Sequence, residues 1–240
     1  MVVPGKRLTF DQLEKTLPPD TMSKIVSLDE VRAEQEAKDW PNLCRYHVEN
    51  FKIIHHRRRP DVVFIGDSIT EIWTRADPSL FNDRSISRGI AGQTSAQILL
   101  RFYQDVVTLR PRVVHIMAGT NDISPDAAGV SDAVIVNNIR AMIDIAKAND
   151  IRVIVASITP SKGFYMQPDF DPSSRIASIN RELVHLAAVQ RVTYVDYFPT
   201  LVDSAGDFKA SLSNDGLHPN RNGYAVMRAL AELTIKRAKR

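Results

Sequence analysis

Four short segments hold the residue types that can break an acyl bond. Gly66-Asp67-Ser68-Ile69-Thr70 offers a hydroxyl, Gly89-Ile90-Ala91-Gly92-Gln93-Thr94 two glycine amides, and Gly119-Thr120-Asn121-Asp122 a carboxamide. Asn214-Asp215-Gly216-Leu217-His218-Pro219 offers a carboxylate and an imidazole three residues apart. A serine hydroxyl is a poor nucleophile at neutral pH and needs a base within hydrogen-bond reach. An imidazole, with an ordinary pKa of about 6.5, suits that proton transfer. Ser68 and His218 are therefore the candidate nucleophile and base. In a tight turn, the offset of three lets Asp215 reach the other ring nitrogen of His218, fix its tautomer and stabilise the imidazolium. The developing oxyanion needs donors aimed at it. The Ser68 N–H, the Gly92 N–H and the Asn121 side-chain amide are the candidates, and a glycine at 92 lets the backbone approach closely. Taken singly, each segment also reads as an ordinary turn or cap. Their joint occurrence is what points to acyl transfer.

The surrounding pattern predicts how they meet. From Arg59 onward, short β-branched runs alternate with helical stretches. Val62-Val63-Phe64-Ile65, Arg84-Ser85-Ile86-Ser87, Val113-Val114-His115-Ile116-Met117, Arg152-Val153-Ile154-Val155-Ala156 and Val192-Thr193-Tyr194-Val195 are candidate strands. Several are continuous apolar runs, the mark of parallel strands covered on both faces. Helical patterns fall over 94–107, 131–149, 173–190 and 222–236. This alternation predicts an α/β fold with a doubly wound parallel sheet. Ligands of such sheets bind beyond the carboxyl ends of the strands, where the first three segments stand. The fourth precedes the last helix.

Residues 1–58 differ in character and read as a helical arm packed on the domain that follows, 59–240. A charged helix is expected over 28–38. A second is expected from Asp39-Trp40-Pro41 to about Ile54, because proline suits a first helical turn. Its apolar stripe would be Leu43, Tyr46, His47, Phe51 and Ile54, at spacings of three and four.

The four segments together resemble the blocks of the SGNH hydrolases, also called the GDSL esterase/lipase family. Gly66-Asp67-Ser68 is similar to the first block, with Ser68 as nucleophile. Gly92 matches the oxyanion glycine of the second, Asn121 the oxyanion asparagine of the third, and Asp215 with His218 the Asp-x-x-His block. The resemblance runs from about Arg59 to the C-terminus. The short spacing between the Ser68 and Gly92 blocks looks most like the platelet-activating-factor acetylhydrolase-like branch. The fold it implies is a flavodoxin-like three-layer α/β/α sandwich with a five-stranded parallel sheet. The Gly-x-Ser-x-Gly elbow of α/β-hydrolases is missing, since position 70 is Thr.

Other readings weaken on composition. The chain has 240 residues with 44% hydrophobic and 25% charged, ordinary values for a chain that buries a core. A net charge of +3 is too small to argue for nucleic acid. The basic runs His55-His56-Arg57-Arg58-Arg59 and Lys236-Arg237-Ala238-Lys239-Arg240 carry no interleaved aromatics to stack bases. They read better as solvated turns and helix ends. One cysteine, Cys44, rules out an internal disulfide framework. No His-Glu-x-x-His occurs, and neither a metal nor another cofactor is expected. No apolar run approaches the roughly 20 residues that span a bilayer, so no integral membrane segment is expected. The first residues lack a secretory signal, which fits a cytoplasmic protein as written, or a secreted or periplasmic one whose N-terminus was trimmed. Oligomeric state has no signal.

The expected activity is therefore that of a serine esterase on a small-molecule ester. Same-family alternatives are a lysophospholipase, an acyl-thioesterase and a carbohydrate O-deacetylase; a noncatalytic carbohydrate- or acyl-binding protein is the alternative outside catalysis. The loop 161–170 follows the fourth strand and should overhang the site, making Phe164, Tyr165 and Phe170 candidate pocket walls. Trp73 and Leu217 are candidates as neighbours of Ser68 and His218. Apolar groups broken by Lys162, Gln167, Asp169 and Asp171 suit an acetyl or short acyl group better than a fatty chain.

Overall fold

The apolar runs fold as strands with both faces covered. β1 (Val62–Gly66) and β3 (Val113–Met117) are buried at every position. β2 (Ser85–Gly89), β4 (Arg152–Ala156) and β5 (Thr193–Val195) complete a sheet of order β2-β1-β3-β4-β5. Every pairing is parallel, as expected. In this computed structural model residues 38–125, 130–164 and 170–239 are described. The chain divides into two compact units, Met1–Asn42 and Leu43–Arg240. The helix expected over 28–38 lies, apart from Lys38, outside the described residues.

In chain order the helices are α1 (His47–His55), α2 (Ser68–Ala76), α3 (Ser95–Asp105), the short α4 (Thr120–Ile123), α5 (Asp132–Ala148), α6 (Ser173–Gln190), the short α7 (Phe198–Leu201) and α8 (Arg221–Ala238). Strand side chains alternate between the two faces of the sheet. Val63, Ile65, Val114, Ile116, Val153 and Val155 join one core with Phe102 of α3, Ile139 of α5 and Leu183 of α6. Val62, Phe64, Val113, Ile154 and Val195 join the other with Trp73 of α2 and Tyr224 and Met227 of α8. Burying each such side chain stabilises the fold by about 1.5–3 kcal/mol relative to exposure. The result is the three-layer α/β/α sandwich, with strand order reversing beside β1, where the first functional segment emerges.

Two local expectations are corrected. The second N-terminal helix begins at His47 rather than at Pro41, and Asn42 takes a φ of +57°, which a helix does not continue through. The stripe proposed for it is also rotated. Tyr46 is buried, whereas Leu43, His47, Phe51 and Ile54 are exposed. The inward positions are Tyr46 and Asn50, four apart, because α1 meets polar groups. The Tyr46 hydroxyl donates to the Gly89 carbonyl, and Asn50 Nδ2 donates to Asp105 Oδ1 at 2.7 Å. Buried hydrogen bonds, together with Ile53 packed on the core, set the facing of this helix.

Candidate active site

Sheet register carries three of the four segments to one edge. Gly66 lies level with Gly89 of β2 and with Met117 of β3. Ser68, Gly92 and Asn121 then follow two, three and four residues beyond these positions. Close packing at the edge leaves no room for side chains. A Cβ on Gly66 would lie 2.3 Å from Thr70 Oγ1 and 2.4 Å from the Met117 carbonyl oxygen. One on Gly89 would meet the Glu71 backbone nitrogen at 2.2 Å.

Ser68 is the first residue of α2, a helix that is not among those the sequence pattern predicts. Asp67 caps it, its Oδ1 accepting the Ile69 N–H at 3.0 Å. The cap leaves the Ser68 N–H at a helix start, where backbone donors lack helical acceptors and favour negative charge. Gly92 sits in an exposed turn at φ +80°, a conformation that favours glycine. The turn is anchored by Glu71, whose Oε2 accepts the Ala91 N–H at 2.7 Å. It is closed by the Thr94–Gln97 capping box that opens α3. Neither the Ser68 nor the Gly92 N–H is used by a backbone acceptor among the described residues. Asn121 stands on α4 after Gly119, at φ +117°, and its Nδ2 donates to the Gln93 carbonyl at 3.0 Å. That bond orients the carboxamide and ties the third segment to the second.

The fourth segment is held by α8. Asn220 caps that helix, accepting the N–H groups of Asn222 and Gly223 at 2.9 and 3.1 Å. The Tyr224 hydroxyl donates to the Ile69 carbonyl at 2.8 Å, joining α8 to the turn that carries Ser68. One turn further along α8, Arg228 bridges Asp77, the residue that ends α2, at 2.9 Å. Ser213 and Pro219 pair as an antiparallel bridge. The Ser213 hydroxyl donates to the His218 carbonyl at 2.7 Å and accepts the Gly216 N–H at 2.9 Å. The loop thus formed presents Asp215 and His218 as a unit.

Ser68 Oγ lies 2.9 Å from His218 Nε2, and His218 Nδ1 lies 2.7 Å from Asp215 Oδ2. Asp215 Oδ1 accepts the backbone N–H groups of Leu217 and His218 at 2.9 and 2.8 Å. Partial burial disfavours the Asp215 charge. The His218 side-chain bond outweighs it, with the two backbone donors, and holds the carboxyl well below the usual range. An ionised Asp215 fixes the imidazole with Nδ1–H toward the carboxylate and leaves Nε2 to accept the Ser68 proton. The arrangement can deprotonate a hydroxyl, and the three oxyanion candidates stand at the same sheet edge.

The expected pocket residues fare differently. Trp73 has no exposed surface and packs, mostly edge-on, among Phe64, Phe81, His115, Tyr197 and Tyr224, so it belongs to the core. The apolar stripe of α2 turned it inward. Phe164 is buried against the core and tilted on Phe170, centroids 6.1 Å apart. Phe170 and Leu217 are partly exposed and rest on the same core. Tyr165 lies outside the described residues. Sequence reading missed Glu71, Gln93, Arg101 and Tyr224 as supports; the Thr-x-x-Gln capping box was the readable sign that the Gly92 turn ends in an anchored helix. Among the described residues no three His, Cys, Asp or Glu side chains group as metal ligands, and no helix is long and apolar enough to cross a membrane.

Comparison with known proteins agrees with the geometry. The model of the GDSL-like lipase/acylhydrolase family matches residues 64–226. An acylhydrolase candidate from Bacteroides fragilis superposes with a TM-score of 0.79 at 37% identity, over 84% of this chain and 99% of that one. A GDSL-like lipase from Bacteroides thetaiotaomicron gives 0.79 at 35% identity, over 83% and 100%. Among curated proteins, the alpha1 subunit of platelet-activating factor acetylhydrolase IB from Pongo abelii is 28% identical over 197 residues, 76% of this chain and 82% of that one.

Proposed function

The chain belongs to the GDSL-like lipase/acylhydrolase family and is a carboxylic ester hydrolase, and we propose that it cleaves short-chain acyl esters of the acetyl type through an acyl-enzyme at Ser68. The observation that carries this reading is the continuous hydrogen-bonded series Ser68, His218, Asp215 at 2.9 and 2.7 Å.

In the first half-reaction His218 Nε2 takes the Ser68 hydroxyl proton as Oγ attacks the ester carbonyl carbon. The carbonyl π pair moves to oxygen, and the resulting anion accepts from the Ser68 and Gly92 N–H groups and the Asn121 amide. Collapse breaks the bond to the alcohol oxygen, which leaves with the proton held on His218 Nε2. An ester of Ser68 remains. In the second half-reaction water gives a proton to His218 and attacks the same carbon. Collapse then expels Ser68 Oγ, which recovers the proton, and the carboxylic acid departs. Asp215 keeps its charge throughout and stabilises the imidazolium.

The walls of the site bear on acyl size. The buried aromatics near the site fill the core rather than line a channel, as Trp73 and Phe164 do. The curated relatives are acetylhydrolases by name. A panel of p-nitrophenyl esters of rising chain length, beside acetylated sugars and acyl-CoA, tests this. Acetate to butyrate should be preferred. A preference for octanoate or longer would promote the lysophospholipase or thioesterase reading, and turnover of the acetylated sugars alone the deacetylase reading.

A further inference from the structure

Arg101 of α3 has no exposed surface, and its guanidinium makes three hydrogen bonds in three directions. Nε donates to Gln93 Oε1 at 2.5 Å, Nη2 to the Gly66 carbonyl at 2.8 Å, and Nη1 to Asp105 Oδ2 at 3.0 Å. A buried charge of this kind is costly unless every donor is matched. Asp105 is matched in turn by Asn50 of α1, whose Oδ1 accepts from Arg88 Nε at 2.9 Å. The chain of contacts therefore runs from α1 to α3 and on to the catalytic edge.

Two of the three Arg101 partners adjoin the proposed machinery. Gly66 ends β1 two residues before Ser68, and its carbonyl also accepts the Ile90 N–H at 3.1 Å. Gln93 follows Gly92 directly, and its carbonyl is the one that orients the Asn121 amide. One planar, rigid group thus fixes the turn carrying the nucleophile and the turn carrying the Gly92 donor, to which the Asn121 amide is tied through the Gln93 carbonyl. Lysine, a point charge on a flexible stem, cannot hold three acceptors in that plane.

We propose that Arg101 is the positioning residue that sets the spacing of the oxyanion donors relative to Ser68, with Asp105 and Asn50 holding it in place. The inference rests on the reading of Ser68, Gly92 and Asn121 given above. Arg101 touches neither His218 nor Asp215, so it acts on stabilisation of the transition state and not on the base. A displacement of about 1 Å in such donors can cost up to about a hundredfold in rate.

The test is a double-mutant cycle with Asn121→Ala, read as kcat and KM on p-nitrophenyl acetate. Arg101→Lys keeps a cation against Asp105. Gln93→Met removes the Gln93 acceptor at nearly constant volume and leaves the Arg101–Asp105 pair intact, so it decides the matter if the lysine variant fails to fold. Each folded variant should lose about 10–100-fold in kcat, with KM changed less than about threefold. The pH at which activity is half-maximal should not move. In the Asn121→Ala background the same substitution should cost less than a few-fold, because both act on the same donors. A kcat within twofold of the parent, a full multiplicative loss on top of Asn121→Ala, or a displaced pH midpoint would overturn the positioning role. Full activity of Ser68→Ala or Asn121→Ala would instead strike the underlying reading of the site.

Discussion

Asp67 stands next to Ser68 with no exposed surface. Burial dominates its ionisation and lifts its pKa from 3.8 to about 6. The Ile69 N–H, the His218 ring and the Thr120 hydroxyl work the other way, and Asp122 adds to the rise. The native state therefore holds this proton more tightly than the unfolded chain. Below about pH 4 the group is protonated in both states and costs nothing. Between about pH 4 and 6 the unfolded chain releases its proton first, so stability falls as pH rises; above about pH 6 the loss is complete. The span from 3.8 to about 6, at about 1.4 kcal/mol per pH unit, amounts to about 3 kcal/mol. Asp67→Asn removes the titration and keeps a residue that caps helices equally well. Denaturant unfolding of both proteins from about pH 4 to pH 8 reads the effect, because groups that do not interact with Asp67 titrate alike in the two. The variant should gain about 3 kcal/mol on the parent between about pH 4 and 6, then run level. A difference that stays constant across that range would refute the account of this carboxyl.

Other outcomes follow from single contacts. Asn121→Ala should lower kcat by about 10²–10³ with little change in KM, since the oxyanion exists mainly in the transition state; steady-state kinetics on p-nitrophenyl acetate reads it, and a pure KM effect would contradict it. Gly66→Ala should cost at least about 2 kcal/mol of unfolding free energy, as its Cβ would overlap Thr70 Oγ1 and the Met117 carbonyl; an unchanged melting temperature would count against the packing described. Across unbranched p-nitrophenyl esters, kcat/KM should peak between acetate and butyrate and fall steeply by octanoate, where a true acyl channel would gain about 0.8 kcal/mol per buried methylene.

Much of this was legible in the residues, for reasons that differ by element. β1, β3 and β4 announce themselves because strands buried on both faces are apolar at nearly every position, and the five expected strands and the helices α3, α5, α6 and α8 stand within a few residues of their expected places. The hydrogen-bonded meeting of Ser68, His218 and Asp215 was readable because acyl-transfer chemistry would need those side chains together, and a three-residue offset within one loop keeps the carboxylate beside the imidazole. What stayed hidden was set by tertiary contact. α2 starts on Ser68 itself, so its first turn looks like a loop. Trp73 follows Ser68 closely in sequence, yet the helix carries it to the opposite side of the turn, into the core. Tyr46, Asn50, Arg88 and Arg101 look like surface residues until their partners, 35 to 55 residues away, are known.

The proposed acyl carrier, Ser68, is tested most directly by mass-spectrometric mapping after reaction with a fluorophosphonate probe. One adduct is expected on the Ser68 side chain, formed in step with loss of esterase activity and absent in a folded Ser68→Ala protein that has lost most of its kcat. An adduct on another residue, together with full activity of Ser68→Ala, would contradict that role.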